Sequence, residues 1–529
     1  MTTERAADFA SWACRYSQRT NRSLAGAHIV LPETVDALSA STASRSTAEP
    51  APIAAQSSSQ AQSSVPLMPA AAQQWGMVPV DADQPSQPDP GQFLIDATIS
   101  ADQVPDMRLA TGAAAMDYAQ EHMVVLRTLM AQLRGEIDFT GVRIAVCLIL
   151  EPKTAVLLRA LHAAGAIVGV FGGPDTTDQR VARQLRAEGI VVEADTGWDA
   201  RQTHEAALRL LDEIRPEIIV DDGASFARLA SLERPELMRR LIGVAEETTS
   251  GVRAFQAMQD ADELNYPVVA VNDSTLKTGF DNAHGTGETC VTTLQRILGE
   301  HVFAGAKVAV IGYGPVGRGF ALRIRALGAQ VTICDTDPVA CLKAVFEGFA
   351  AQDIDDALPA ADIVISATGV RHTITLDHLQ RMRGGAVLSV IGGIANEIAL
   401  DDIPDFVPQI GRDSMTLTVS NGPTITLIAD GDGVNYTVGG GNPIEIMDLS
   451  FAVQVSAVTY LLQHCDELDP GLLRLDAQSD RRIATIALEA RGCHASHATV
   501  DNGYDWRLTR FAEEDAARTR SCRGNEEAA

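Results

Sequence analysis

Residues 307–338 read KVAVIGYGPVGRGFALRIRALGAQVTICDTDP, and the order of residue types in them decides the fold. A short apolar strand, 307–311, runs into Gly312-x-Gly314-x-x-Gly317. The helix that follows places Val316, Phe320, Ile324 and Leu327 on one face and stops at Gly328. A second strand, 331–334, ends in Asp335, eighteen residues beyond Gly317. The glycines permit a tight turn and let backbone approach a pyrophosphate, which the helix N-terminus stabilises electrostatically. A carboxylate at Asp335 accepts the adenosine ribose hydroxyls and repels a 2′-phosphate, so the expected cofactor is NAD rather than NADP. A bare GxGxxG occurs in other α/β turns. Strand, glycines, helix, strand and acid in that order are what specify the site.

Working outward, helical stretches alternate with short apolar runs upstream, between about 107 and 271. AMDYAQEHMVVLRTLMAQL has helical spacing, VRIAVCLIL reads as a buried strand, and TAVLLRALHAAGA as a helix closing at glycine. AIVGVF, EIIVDDG and YPVVAVND read as further strands. Such alternation implies parallel βαβ units that bind ligands at the carboxyl ends of their strands. Downstream, DIVISATG and GAVLSVIGG carry a second alternating region to VGGGNP, 438–443, where Gly439, Gly440, Gly441 and Pro443 make a natural hinge. The expected fold is therefore α/β, with two doubly wound, Rossmann-like parallel-sheet domains. A substrate-binding domain is expected over 98–287, completed by 443–490, with an NAD-binding domain over 288–442 and a polar tail over 491–529. Residues 39–92 are rich in Ala, Ser, Gln and Pro and bury too little apolar area to offset their ordering entropy. The head before them has some helical character but no identifiable chemistry. Residues 1–97 are thus expected to form a low-complexity, disordered N-terminal extension.

The chain has 529 residues, with 42 Lys and Arg against 69 Asp and Glu, a net charge of −27. So acidic a protein repels phosphate backbones and anionic lipid, which argues against nucleic acid and membrane surfaces as partners. No run of about 18 apolar residues is present. The opening MTTERAADFASW lacks the apolar core of a signal peptide. Eight cysteines are scattered with no CxxC pair, as in a reduced cytoplasmic protein, so a cytoplasmic location is expected. Cys493-His494-x-x-His497 lies in a polar tail and lacks a fourth ligand, so no metal centre is expected.

Just before the dinucleotide strand lies NDSTLKTGFDN, residues 272–282. Lys277 and Asp281 are four apart and share one face if the segment is helical. On spacing alone they read more readily as a surface pair of little energetic consequence. Glu246-Glu247-Thr248-Thr249-Ser250-Gly251, taken alone, reads as a helix end with solvated carboxylates. Asp221-Asp222-Gly223 reads as a strand-end turn, and Asp175 and Asp178 as loop carboxylates.

Taken together, VAEETTSGV, VNDSTLKTGFDN, IGYGPVGRG, CDTDP and ATG resemble the S-adenosylhomocysteine hydrolase family in order and spacing, over about residues 100–465. The resemblance implies a tightly held NAD that transiently oxidises a nucleoside 3′-hydroxyl. The ketone acidifies the C4′ hydrogen, the 5′-thiol is eliminated, water adds, and the stored hydride returns. Residue by residue, it implies Lys277 and Asp281 as the general-base pair beside the 3′-hydroxyl. Glu247 becomes a substrate-hydroxyl carboxylate, Asn282 an active-site amide and Asp222 an active-site acid. NAD contacts are implied for Thr248, Thr249 and Ser250, for Thr368 within ATG, and for Asn435 near the nicotinamide carboxamide. A lysine so placed is expected to be tuned towards neutrality. A homo-oligomer, dimer or tetramer, is implied too.

The departures fall on the nucleoside-recognition half that the family implies, while the redox half remains. Where the family has an LHMTVET-like segment, this chain reads Leu148-Ile149-Leu150-Glu151-Pro152-Lys153-Thr154. The family's His, Thr and adenine-reading Glu thus become Ile149, Glu151 and Lys153. A lysine has donors only and cannot accept from an adenine amine. Two further family histidines become Gly393 and Asn442, the active-site cysteine becomes Thr286, and the KPxxYRY-like tail has no equivalent in VDNGYDWRLTRFAEED. The expected pocket residues Glu151, Lys153 and Asn442 point to a divergent member whose nucleoside or sugar-like substrate has a different polarity, an anionic one included. The alternatives are an authentic adenosylhomocysteinase with a remodelled pocket and a catalytically silent NAD-binding homologue.

Overall fold

The computed structural model describes residues 9–31, 68–80 and 93–497, apart from 395, 405, 410 and 411. Most of the Ala/Ser/Pro-rich stretch and the segment VDNGYDWRLTRFAEED lie outside these residues. The first described element is the helix Phe9–Thr20, whose Phe9, Trp12, Ala13 and Tyr16 are buried at amphipathic spacing. Three short strands follow in parallel: β1 (His28–Val30) at the centre, flanked by β2 (Val78–Val80) and β3 (Leu94–Asp96). The expectation of a disordered extension over 1–97 is thereby corrected for 9–31, 68–80 and 93–97. The reason is local: Phe9, Trp12, Tyr16 and Trp75 share one core with Leu294, Phe303 and Phe320 of the dinucleotide domain. Composition averaged over the whole segment hides that apolar stripe.

The first large sheet takes β4 (Arg143–Cys147), β5 (Ile167–Gly172), β6 (Val191–Ala194), β7 (Ile218–Asp221), β8 (Gly243–Glu246) and β9 (Pro267–Ala270). The second takes β10 (Lys307–Ile311), β11 (Gln330–Cys334), β12 (Ala350–Ala351), β13 (Ile363–Ser366), β14 (Val387–Val390), β15 (Ser414–Thr418) and β16 (Thr424–Ile428). The chain then returns to set β17 (Gly471–Leu473) beside β9. The strand orders are β17-β9-β8-β7-β4-β5-β6 and β12-β11-β10-β13-β14-β16-β15. All pairs are parallel except β15 with β16. The strands are nearly continuous Val, Ile and Ala because helices cover both faces of each sheet. Strand order reverses at β4 and at β10, and a crevice opens at the carboxyl ends there.

The helix Ile444–Gln463 is long and apolar enough to span a membrane, yet 89% of its most apolar window is buried. Val453, Val455 and Leu461 join the core of the first large sheet, so it is a core helix.

Candidate active site

Two acid doublets end adjacent strands, and strand alternation gives their members different tasks. Asp221 of β7 and Glu246 of β8 are register partners, and both are fully buried. Asp221 accepts from the backbone N–H groups of Asp222 (3.0 Å), Phe226 (3.0 Å) and Ala227 (2.8 Å). Glu246 accepts from those of Gly223 (3.0 Å), Ala224 (2.9 Å) and Thr248 (2.8 Å). These first acids hold the turns together. The second acids, Asp222 and Glu247, point the other way and line a cleft of about 520 Å³. Glu247 accepts from Ser450 Oγ and Gln454 Nε2 of the core helix. Burial pushes its carboxyl up to about 7 despite the Lys277 charge. Burial likewise raises Asp222.

Lys277 and Asp281 line the same cleft. After a single helical turn, Thr275–Lys277, the backbone widens into a π-helix over Thr278–Gly285, and Thr286 N–H donates to Asp281 O. Wide turns of this kind re-aim side chains and recur at functional sites. Lys277 Nζ lies 2.8 Å from Asp281 Oδ2 and donates to Asn282 Oδ1 at 2.9 Å. Asn282 in turn donates to Asn272 Oδ1 (3.2 Å), which also accepts from Thr249 Oγ1 (3.0 Å). One expectation needs correcting here. Burial acts to lower the Lys277 ammonium, but the charges of Asp281, Glu247 and Asp222 outweigh it and hold the group above the usual lysine value. The surrounding carboxylates, not the apolar walls, decide its charge.

The residues on the dinucleotide side fit NAD. Gly312 adopts φ +98°, which favours glycine, and a Cβ on Gly317 would fall 2.0 Å from Gly312 O. Gly314 faces open space, where a phosphate can approach the helix Pro315–Ala326. Gly314, Thr248, Thr249, Ser250, Thr368 and Asn435 all line the cleft. Asn435 Oδ1 is buried without a hydrogen-bond partner among the described residues, as an acceptor of a carboxamide N–H would be. Asp335 stands apart from the cleft, at the end of β11, where it accepts from Tyr313 N–H (2.6 Å) and Asp337 N–H (2.9 Å). That places it beside the glycine turn, where an adenosine ribose would lie.

The residues that depart from the family are spread along the same walls. Asn442 donates to Asp281 Oδ1 and to Thr286 Oγ1 (3.0 Å) and accepts from Asn435 (3.1 Å), tying three cleft residues together. Ile149, Glu151 and Gly393 line the cleft. Lys153 does not. It is 1% exposed and borders a second cavity of about 590 Å³, on the far side of Glu151. Its ammonium gives its protons to Glu151 Oε2 (2.7 Å), Asn21 Oδ1 (2.6 Å) and Gly440 O (3.1 Å). Lys153 as a substrate contact, and the anionic substrate it suggested, are therefore corrected: all three donors are spent within the protein.

Sequence reasoning missed Ser450 and Gln454, which position Glu247. It also missed Glu397, which accepts from Thr368 N–H (3.2 Å) and Gly369 N–H (3.1 Å) and shapes the ATG turn. Ser450 and Gln454 are four apart amid apolar residues, a polar stripe that could have flagged them. Asn21 carried no signal, since its partners lie 132 and 420 positions away.

Comparison with known proteins agrees with this geometry. Residues 102–234 match the family model described as S-adenosyl-L-homocysteine hydrolase. Residues 282–441 match its NAD binding domain. The chain is 37% identical over 395 residues to the S-inosyl-L-homocysteine hydrolase of Methanopyrus kandleri, covering 74% of this chain and 93% of that protein. It is 36% identical over 393 residues to the adenosylhomocysteinase of Thermotoga maritima, covering 74% and 97%. With the adenosylhomocysteinase of Pyrococcus abyssi the identity is 37% over 403 residues, covering 75% and 95%. Similarity of this extent, reaching across both large sheets, means that the chain belongs to the S-adenosyl-L-homocysteine hydrolase family, with NAD as its cofactor.

Proposed function

We propose that the chain hydrolyses a nucleoside thioether by transient oxidation of the ribose 3′-hydroxyl, on a substrate whose base end differs from that of S-adenosylhomocysteine. The observation that carries this reading is the buried Lys277–Asp281 pair, which shares one cleft with the unpartnered Asn435 Oδ1 and with Asp222 and Glu247. Bound NAD supplies the acceptor for the C3′ hydride and the donor that returns it.

The chain's own groups manage the protons. The hydroxyl proton passes to Lys277 Nζ as an ammonium proton crosses 2.8 Å to Asp281. Lys277 thus ends charged, and Asp281 is the net acceptor. This relay suits a lysine held in its charged form by its neighbours. The C3′ ketone then acidifies C4′–H. Asp222, a carboxyl whose proton affinity burial raises, takes that proton, and the electron pair expels the 5′-thiolate. Glu247, held by Ser450 and Gln454, orients the ribose hydroxyls. Asn282 fixes Lys277, and Thr248, Thr249, Ser250 and Thr368 hold the nicotinamide side.

The changed substrate pocket is supported by Ile149, Glu151, Thr286, Gly393 and Asn442, all on the walls of the cleft. Relatives of 37% identity bear names for adenosyl and for inosyl thioethers, which supports the base as the variable part within this family. We further read 98–287 with 443–490 as the substrate-binding domain, 288–442 as the NAD domain, and the protein as a homo-oligomer.

The test is to add nucleoside thioethers to purified holoenzyme and follow both the NADH absorbance band and thiol release. Transient absorbance with at least one of them is expected. Rapid hydrolysis of S-adenosylhomocysteine would return the chain to the ancestral substrate, and silence with every thioether would leave it a binding protein.

A further inference from the structure

Two cations line the cleft among the described residues, and they stand in opposite settings. Lys277 is 3% exposed and lies 2.8 Å from Asp281. Arg253 is exposed at the mouth, one turn into the helix Thr249–Asp260. Among the described residues no carboxylate pairs with it. Its one bond to them runs from Nη1 to Gly369 O, 3.1 Å away on the facing loop after β13, and fixes the guanidinium across the opening. Nε and Nη2 donate to no described residue, and an edge of that shape grips a carboxylate through two parallel hydrogen bonds. The other charged groups on these walls are Glu151, Asp222, Glu247 and Asp281, none of which attracts an anion. The cap of the Arg253 helix, Thr248, accepts at 2.9 Å from the N–H of Gly223, the residue after Asp222.

We propose that Arg253 is a specificity-determining residue: its Nε and Nη2 donate to the α-carboxylate of the amino acid that the thioether carries on C5′. The inference rests on the thioether reading above and adds the residue that recognises the end of the substrate remote from the base. Asp222 takes the C4′ proton in that reading, and C5′ is bonded to C4′, so the thioether leaves the ribose past the start of the Arg253 helix. An amino acid is a zwitterion, and burying its carboxylate without a partner is costly. The mouth offers water on one side and the unclaimed guanidinium edge on the other. The cofactor's diphosphate, the second anion of the cleft, is provided for by the glycine turn and the N-terminus of the helix Pro315–Ala326.

The experiment uses full-length holoenzyme. Free adenosine and inosine are followed by the NADH absorbance band. The thioethers of both nucleosides, with homocysteine and with its decarboxylated counterpart 3-aminopropanethiol, are followed by thiol release. For the nucleoside that serves better, the decarboxylated thioether should show a KM raised about three- to tenfold, the scale of a guanidinium–carboxylate pair partly in water. Arg253→Met should raise the KM of the homocysteine thioether by the same factor with kcat little changed, and should abolish the difference between the two thioethers. Arg253→Lys keeps the charge without the fork and should recover only part of that difference. Equal KM values for the two thioethers in the unaltered enzyme, or an Arg253→Met enzyme that still separates them, would overturn the inference and leave the function intact. So would an Arg253→Met enzyme that loses NAD on gel filtration, or reduction by free nucleoside, as steeply as it loses affinity for the thioether, since Arg253 would then serve the diphosphate or only hold the two walls together. Absence of both reduction and thiol release with every compound would overturn the inference and the hydrolase reading together.

Discussion

Lys277 faces Asp281, Glu247 and Asp222 from a fully buried position, and the three carboxyl groups share one ammonium. Replacing it with methionine removes the proton relay to Asp281 and leaves the acids without their countercharge. Nucleoside-driven cofactor reduction should fall by at least about 10²-fold, the usual weight of a positioned acid–base group. Lys277→Arg should rescue little, because a guanidinium keeps its protons. Stopped-flow absorbance separates these outcomes, and an arginine enzyme of full activity would refute the proton relay.

The buried acids also set a pH dependence. Burial pushes Glu247 and Glu288 from 4.5, and Asp221 and Asp448 from 3.8, each to about 7. Between those limits the folded state binds more protons than the unfolded chain. Their stabilising contribution is complete below the unfolded values and is lost as pH rises through about 7. Calorimetry of the holoprotein should therefore show the melting temperature falling across that window, and a rise would contradict the assignment. Lys277 and Glu247 stood out in the sequence only through the family resemblance of their segments; spacing alone read them as solvated, because partners such as Ser450 and Gln454 lie more than 200 positions away. Lys153 was misread for the same reason: its charge was visible, but the Asn21 oxygen that consumes one of its protons was not.

At the scale of elements, the NAD helix Pro315–Ala326 and the π-helix Thr278–Gly285 meet through a glycine. A Cβ on Gly319 would stand 1.8 Å from Ala283 O. Gly319→Ala must separate the two elements, at a cost of about 1–3 kcal/mol for overpacking. Denaturant titration should register that loss. The amount of NAD retained through gel filtration should drop with it, since the same shift moves Lys277 away from the nicotinamide side. Unchanged stability would mean that the contact is softer than its geometry implies. The glycine turn around β10 was readable because a strand, a turn and a helix made of contiguous residues need nothing from elsewhere. The widening after Lys277 was not. Helical spacing predicts the shared face of Lys277 and Asp281, but nothing local marks the widening, and the residues close to it, Gly319, Asn442 and Ile446, come from distant parts of the chain.

For the whole molecule, the N-terminal layer is the largest difference between expectation and structure. Its segment 21–25 crosses the first turns of the helices Thr286–Leu298 and Ile444–Gln463 and bonds to both. Arg22 Nε donates to Glu445 Oε1 at 2.6 Å, and Ser23 N–H to Glu445 Oε2 at 2.8 Å. Leu24 N–H donates to Glu288 Oε1 at 2.8 Å. Arg22 and Glu445 are both buried, so breaking the pair is costly. Arg22→Met should destabilise by about 3–5 kcal/mol through the orphaned carboxylate, and the double variant with Glu445→Leu by clearly less. Equilibrium unfolding of the four proteins in that cycle tests it. Equal losses in single and double variants would mean the layer is held by Trp12 and Phe9 alone. A low-complexity composition obscured this layer because the informative positions are few, large and apolar amid many small ones.

The order of translation gives that crossing segment a consequence of its own. A ribosome releases residues 21–25 early, yet Glu288 emerges 264 positions after Leu24, and Glu445 423 positions after Arg22. The head grips its near neighbours first, through Arg15 to Asp102 and Arg19 to Val104 O, but its bonds to Glu288 and Glu445 wait until those distant helices have been made. The bonds to Glu445 are therefore the last this segment can make, and a chain that stalls before that residue lacks the carboxylate that Arg22 and Ser23 reach.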